Sequence, residues 1–329
     1  MKRCLTLSLM FALVFFLTVV AADAATYKLK VGSVGSDTHP STPALHEFKK
    51  YVEEKSNGEI EVSLHINSSL GADREMTEAM QLGTLEVGII GTSNLANFEP
   101  AFNIFEFPFL FKDDVTAKKL IDGELGEQLD KQLQKQDLRI IGYGVNGFRH
   151  TTNNRGPIHK PEDMKGLKIR TMENPIHVAT FKLFGANPTP INFGELYTAL
   201  SQKTVDAMEC PINLIYTSKF YEVQKYYSLT GHLYAVAPLT MSEISFRKLP
   251  KNLQDVVLEG GKVYRDKQRE GTLAEEETML QLLKDNGMIV NDLTEEEKAE
   301  FKKLSMPVYE QFEKRVGKEL LQQVIEANK

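Results

Sequence analysis

Arg170 closes a short apolar stretch, Lys165–Thr171, in which Leu167 and Ile169 share one face of a strand. Asn174-Pro175 follow, an N-cap residue and a proline suited to the first helical position. In open α/β sheets, ligands sit in the crevice beyond the carboxyl ends of the strands. A guanidinium placed there offers a planar fork of donors that matches a carboxylate with two parallel hydrogen bonds. The competing account of Arg170 is an arginine paired with a neighbouring glutamate at the surface. Arg149, at the end of Asn146-Gly147-Phe148-Arg149, is a second candidate cation.

The other reactive residue types lack the spacing that catalysis needs. There is no Gly-x-Ser-x-Gly elbow and no P-loop, and His46-Glu47 is not followed by a second histidine. Gly142-Tyr143-Gly144 follows a strand, but the third glycine of a dinucleotide site is missing. The histidines are scattered, and no metal-ligand spacing surrounds Cys210. His39, before Pro40 at the end of the first strand, either reaches a cleft or is a satisfied loop histidine. Cys210 as a nucleophile would need a base that the sequence does not identify. No catalytic residue, metal or cofactor is expected, which leaves a binding function.

The elements that must position these residues alternate between strand and helix. Tyr27–Val34 alternates as a strand, and Ser41 and Pro43 open a helix that Gly58 closes. Glu59–Ile66 and Leu85–Ile90 read as strands around a helix over Ala72–Leu82, and Leu85–Ile90 runs into the small polar loop Gly91-Thr92-Ser93-Asn94. Such alternation specifies a mainly parallel sheet with crossover helices. The phenylalanines between Phe102 and Phe111 read as a core plug between two lobes. One helix is expected over Val115–Gln136 and a strand over Leu138–Val145, after which Asn146–Arg149 reads as a hinge that breaks the pattern.

A second α/β series then starts at the Arg170 strand, with helices over Asn174–Phe184 and Phe193–Ser201 and a short strand ending at Cys210-Pro211. Tyr226–Phe246 reads as two strands, the first broken at Gly231. Pro250 to about Asn286 is one long helix with a polar waist at Arg265–Glu277, a pattern that fits packing at both ends and a crossing between lobes. Thr294 and Glu297 form a capping box ahead of two C-terminal helices. Glu75–Val87 aligns with Glu195–Ala207 at a constant offset, each segment a helix, a tight turn and a strand. Two similar lobes presenting equivalent strand ends to a shared cleft would produce this repeat.

Composition places the chain among ordinary globular proteins, with 42% apolar and 26% charged residues in 329, enough for two domains. Lys2 and Arg3 precede an unbroken apolar run from Leu5 to Val20 and then Ala22-Asp23-Ala24, the order of a secretory signal peptide. Cleavage near Ala24 would remove Cys4, leave Cys210 as the single cysteine and move the formal charge from −6 to −7. An acidic exported chain without basic clusters is a poor candidate for nucleic acid or anionic lipid. Anion binding would rest on a few placed arginines.

Several motifs in the same order resemble the DctP-type extracytoplasmic solute receptors of TRAP transporters, from about Tyr27 to the C-terminal helices. They are Asn146-Gly147-Phe148-Arg149, Met164–Arg170, Phe184–Pro190, Phe193–Leu200 and Phe220–Tyr226. The resemblance implies a periplasmic receptor with two α/β lobes and a long helix spanning both, which closes on an organic acid and delivers it to TRAP permease subunits. The implied lobes are residues 25–147 with 235–275, and 148–234 with 276–329, after a leader over 1–24. The family's carboxylate-clamping arginine falls on Arg170, its more variable partner on Arg149, its ligand-packing ring on Phe193 and a first-lobe contact on Asp73. Thr92, His39, Glu173, Cys210 and Asn213 complete the candidate ligand-facing set. Where the family often reads Gly-Gln-Glu-Asn-Pro, this chain has Ala207-Met208-Glu209-Cys210-Pro211, so a thiol replaces an amide. The acidic residue and the arginine that sialic-acid receptors place near Gly91 and Asn94 are also missing. The expected ligand is a sugar acid or a small hydroxy, keto or dicarboxylic acid, and the expected state a monomer. An exported enzyme acting on a small carboxylic acid, or a receptor for a membrane sensor, would share the cleft.

Overall fold

Alternation along the chain resolves into two sheets in a computed structural model that describes residues 26–328. The expected leader, Cys4 included, lies outside the described residues. Strands β1 (Tyr27–Gly32), β2 (Ile60–His65) and β3 (Val87–Ile89) are joined by helices Ser41–Lys55 and Asp73–Gln81, and a longer helical stretch leads to β4 (Leu138–Gly142). The chain then crosses to β5 (Val145–Asn153), β6 (Lys168–Thr171), β7 (Asn187–Pro190), β8 (Ala207–Pro211) and β9 (Tyr226–Val236). It returns for β10 (Leu239–Ser242), and helix Lys251–Asp285 carries it back to β11 (Ile289–Asp292).

The first sheet has the order β2-β1-β3-β10-β4 and the second β11-β9-β5-β8-β6-β7. β1 runs parallel to β2 and β3, and β6 parallel to β7 and β8, because a helical crossover returns the chain to the same end of the sheet. β5 and β10 are entered directly from the other lobe, without a crossover helix. Each runs antiparallel to both of its neighbours.

The long helix spans both lobes. Leu253, Val257 and Tyr264 pack with Leu45, Phe48 and Val52 of the first lobe, and Met279 and Leu283 pack with Leu200 and Tyr227 of the second. Its polar waist forms a joint. Buried Gln268 accepts from the Val145 amide at 2.9 Å and donates to the Val145 carbonyl at 2.7 Å, while Arg269 Nε donates to the Tyr143 carbonyl at 3.0 Å. The two strand crossings are themselves joined by the Ala237 amide and the Gly144 carbonyl at 2.9 Å. Phe102, Phe105, Phe107 and Phe111 are buried with Tyr234 and Val236 of β9 and with Val308, Tyr309 and Phe312 of helix Glu295–Val316, so the phenylalanine run does plug the space between lobes. No described helix is long and apolar enough to cross a membrane.

Three expectations from the sequence change. The helix over Val115–Gln136 is two, Asp114–Ile121 and Glu124–Leu133, because the first closes at Asp122 and Gly123 enters the second in extended conformation. Asn146–Arg149 does not break the pattern but lies within β5, where Gly147 at φ +81° accompanies a shift of register against β9. Gly231, at φ +55°, does not end its strand either, since β9 runs through it. The internal repeat holds in detail. Helices Asp73–Gln81 and Phe193–Ser201 end in left-handed residues, Gly83 and Lys203, and Thr84 and Thr204 each donate at 2.9 Å to the carbonyl of Ala79 or Ala199.

Candidate functional site

The ends of β1 and β3 in the first lobe face those of β6 and β8 in the second across a cavity of about 90 Å³. That is several times the roughly 10–15 Å³ that one water requires. The lobes touch at the rim, where Ser36 Oγ donates to the Thr217 carbonyl at 3.4 Å and Asn97 Nδ2 to the Glu173 carbonyl at 3.0 Å. The cleft is therefore in a closed arrangement.

Arg170 stands at the second-lobe wall, 3% exposed, because β6 ends there and helix Pro175–Leu183 turns away under the Asn174 cap. Its Nε donates to the Ile191 carbonyl at 2.8 Å, which fixes the plane of the guanidinium. Among the described residues no carboxylate lies within ion-pair distance, and the two terminal nitrogens have no protein partner. Burial lowers its pKa, as any desolvated cation without a counter-ion requires.

Arg149 takes the opposite position. Its guanidinium clasps Glu209 through Nε, and through Nη2 to Oε1 and to the Glu209 carbonyl, both at 2.8 Å. A glutamate pairing, the alternative considered for Arg170, is found instead at Arg149, buried rather than at the surface. Burial works against both charges, but the pair outweighs it, raising the pKa of Arg149 and holding Glu209 well below the usual carboxylate range. Arg149 also lines the cavity, and its Nη1 has no protein partner among the described residues.

Behind the arginines lies a buried polar chain that no sequence motif announced. His177 Nε2 meets Glu106 Oε2 at 2.7 Å, and its Nδ1 lies 3.7 Å from Glu209 Oε1. His232 lies 3.4 Å from Glu209 on one side and 2.8 Å from Thr230 Oγ1 on the other. Glu106 also accepts from Thr92 Oγ1 at 2.8 Å and from Ser93 Oγ at 2.5 Å. The chain joins first-lobe Thr92, Ser93 and Glu106 to second-lobe His177, Glu209 and Arg149. One signal was legible: Glu106 sits between Phe105 and Phe107, and Glu209 lies in an apolar strand. A carboxylate in such a run must find buried partners.

On the first-lobe wall, Asp73 opens its helix with Oδ2 accepting from the Gly91 amide at 3.1 Å and from Asn94 Nδ2 at 3.0 Å, while Oδ1 has no partner. Burial pushes its pKa up to about 6. His39 Nδ1 accepts from the Ser41 amide at 3.2 Å, so its buried, unpartnered Nε2 carries the proton. Burial lowers its pKa to about 4 and keeps it neutral. Asn146, absent from the expected set, also lines the cavity, and its Oδ1 is a third buried polar atom without a partner. Each such atom costs about 1–3 kcal/mol while it lacks a partner.

Of the other candidates, Thr92, Glu173, Phe193 and Cys210 line the cavity. Phe193 is held edge-on by Phe220, with ring centres 5.8 Å apart. The Cys210 thiol, raised to about 11 by burial, is neutral at physiological pH. Asn213 is not among the lining residues; its Nδ2 donates to the Asn146 carbonyl at 3.4 Å and its Oδ1 accepts from the Leu214 amide. Among the described residues no group of three His, Cys, Asp or Glu side chains is placed to hold a metal ion.

Comparison with known proteins agrees with this geometry. Residues 31–315 match the bacterial extracellular solute-binding proteins, family 7 (DctP). The chain is 34% identical to the 2,3-diketo-L-gulonate-binding periplasmic protein YiaO of Escherichia coli, over 83% of each chain. It superposes with a TM-score of 0.88 and 37% identity on a TRAP periplasmic solute-binding protein from Polaromonas bound to D-erythronate, covering 91% of this chain and 98% of that one. A relative from Sulfurospirillum deleyianum with bound succinate matches with a TM-score of 0.88 and 34% identity, over 93% and 100%.

Proposed function

The chain belongs to the bacterial extracellular solute-binding proteins of family 7, and from that premise we propose that it captures a small organic acid by its carboxylate and presents it to TRAP permease subunits. One observation carries this assignment: Arg170 is buried at the cleft with no counter-ion and two unspent terminal nitrogens. A ligand carboxylate supplies the missing charge in a bidentate pair, with Arg149 Nη1 beside it and Phe193 as a dry wall. Ligand stabilises the closed form because both lobes then contact it.

Arg170→Ala is expected to cost about 2–5 kcal/mol of binding, the range for truncating one partner of a buried charge pair. That corresponds to roughly a 30-fold to several-thousand-fold rise in Kd. Arg170→Lys keeps the charge but loses the fork, and should also weaken binding. Calorimetry with a ligand found by thermal-shift screening of organic acids tests this; unchanged affinity in both variants refutes it.

The mature receptor acts outside the cytoplasm as a monomer after cleavage near Ala24. The lobes comprise 25–147 with 235–275 and 148–234 with 276–329. The ligand leaves unaltered, which mass measurement of a bound acid after prolonged incubation tests; a changed mass would turn the assignment to an enzyme. Eight of the expected contacts act directly on the ligand, and Asn213 acts through Asn146.

A further inference from the structure

We infer that Met172 sets the upper limit on ligand length: its thioether arm reaches across the closed cleft, seats on the bare backbone of Gly91 and ends the cavity there. This rests on the carboxylate-capture assignment above and adds a residue that chooses among acids of different size.

Side chains alternate along an extended chain, so Arg170 and Met172, two positions apart at the end of β6, project to the same side. Both line the cavity. The backbone just beyond is pinned. The Asn174 amide donates to the Met172 carbonyl at 2.8 Å, and Asn97 of the first lobe donates to the Glu173 carbonyl at 3.0 Å. The root of the arm is thus fixed against both lobes, while the arm itself is unbranched and fits the gap it meets.

Two observations separate Met172 from ordinary packing. It is half-buried, yet among the described residues it belongs to none of the four apolar clusters, whereas Phe193 and Leu214, which line the same cavity, pack into the second-lobe core. Across the cleft, Gly91 has φ −64° and ψ 142°, a conformation open to any residue, so its backbone does not call for glycine. What the missing side chain provides is room. A Cβ built on Gly91 would stand 3.5 Å from Met172 Cε and 3.4 Å from Asp73 Oδ2, so anything longer would take the place of the thioether.

A residue with no side chain on one wall and a long one on the other therefore close the cleft beside Asp73. A ligand whose carboxylate is held by Arg170 has to end short of the thioether or displace it. One methylene too many in an apolar pocket costs about 10–200-fold in binding.

The test is calorimetry with two unbranched series of probes: succinate, glutarate and adipate, and D-glycerate, D-erythronate, D-arabinonate and D-galactonate. In at least one series the wild-type protein should bind best an acid shorter than the longest, with affinity at least tenfold lower at the next carbon. Met172→Ala should raise the affinity for that longer acid at least tenfold relative to the optimum. Adding Gly91→Met to this variant places an equally long thioether on the opposite wall and should restore the wild-type limit, a rescue that a merely structural role would not give. Circular dichroism checks the fold of each variant, and if the double variant does not fold, Met172→Ala decides alone. Failure of Met172→Ala itself to fold would reveal a core role and overturn the inference. So would a relative gain under tenfold, or wild-type affinity that climbs to the longest acid of both series. If Arg170→Ala still abolishes that binding, carboxylate capture survives. Binding of no acid of either series by either the wild type or Met172→Ala overturns both.

Discussion

Glu209 tests whether the buried chain behind the cleft sets the charge of the site. Glu209→Gln keeps the side chain's length and shape but removes the anion that balances Arg149, two residues that are 0% and 5% exposed. An amide oxygen can still accept one bond from the guanidinium, but the amide nitrogen then faces an Arg149 N–H donor. Two uncompensated cations, Arg149 and Arg170, are left along one wall. Breaking a buried pair by neutralising one partner typically costs 3–5 kcal/mol. A chain of this size loses about 2 °C of Tm per kcal/mol, so the ligand-free variant should melt roughly 6–10 °C lower. A bound carboxylate supplies part of the lost charge, so the rise in Tm on adding saturating ligand should exceed that of the wild type. Differential scanning calorimetry with and without ligand measures both numbers. A ligand-free Tm within about 2 °C of wild type, with an equal ligand-induced rise, would show that Arg149 does not depend on Glu209 for its charge balance.

Two further perturbations follow from the joint between lobes. Burial disfavours a charge on His177, yet Glu106 and Glu209 lift its pKa above the ordinary 6.5. The stability it contributes is therefore fully present below about pH 6.5 and is lost as pH rises through the raised folded value; a Tm profile from pH 5 to 9 should fall across that window and flatten there in His177→Gln, whereas equal slopes would refute the assignment. Gln268→Leu leaves the buried Val145 amide without its partner, and should cost about 1–3 kcal/mol in urea unfolding. A change under about 0.5 kcal/mol, typical of ordinary surface substitutions, would mean that the waist of the long helix does not hold the crossing.

What was legible in the sequence was local. Periodicity located the strands and helices, and strand-end position identified Arg170, because both depend on residues close in the chain. Glycines misled twice, at Gly147 and Gly231, where left-handed φ is compatible with a shifted register inside a continuing strand. The partner of Arg149 was beyond reach of local pattern. Glu209 is 60 positions away and meets Arg149 because β5 and β8 pair antiparallel, placing Arg149 opposite Pro211. Glu106 and His177, 71 positions apart, meet because the phenylalanine run packs against the second lobe.

The repeat explains why one cleft can be chemically one-sided. At the offset of the repeated segments, the first residue of helix Asp73–Gln81 corresponds to the first residue of helix Phe193–Ser201. Both line the cavity, one as a carboxylate and the other as a ring. The residues beyond the equivalent strands have likewise diverged, with Thr92 and Ser93 committed to Glu106 on one side and Ile212 and Asn213 in their places on the other. One half contributes the fixed cation and the apolar face, and the other contributes a carboxylate oxygen that has no partner within the protein. Capture and closing are then consequences of one arrangement, since neither wall alone contacts both ends of a ligand.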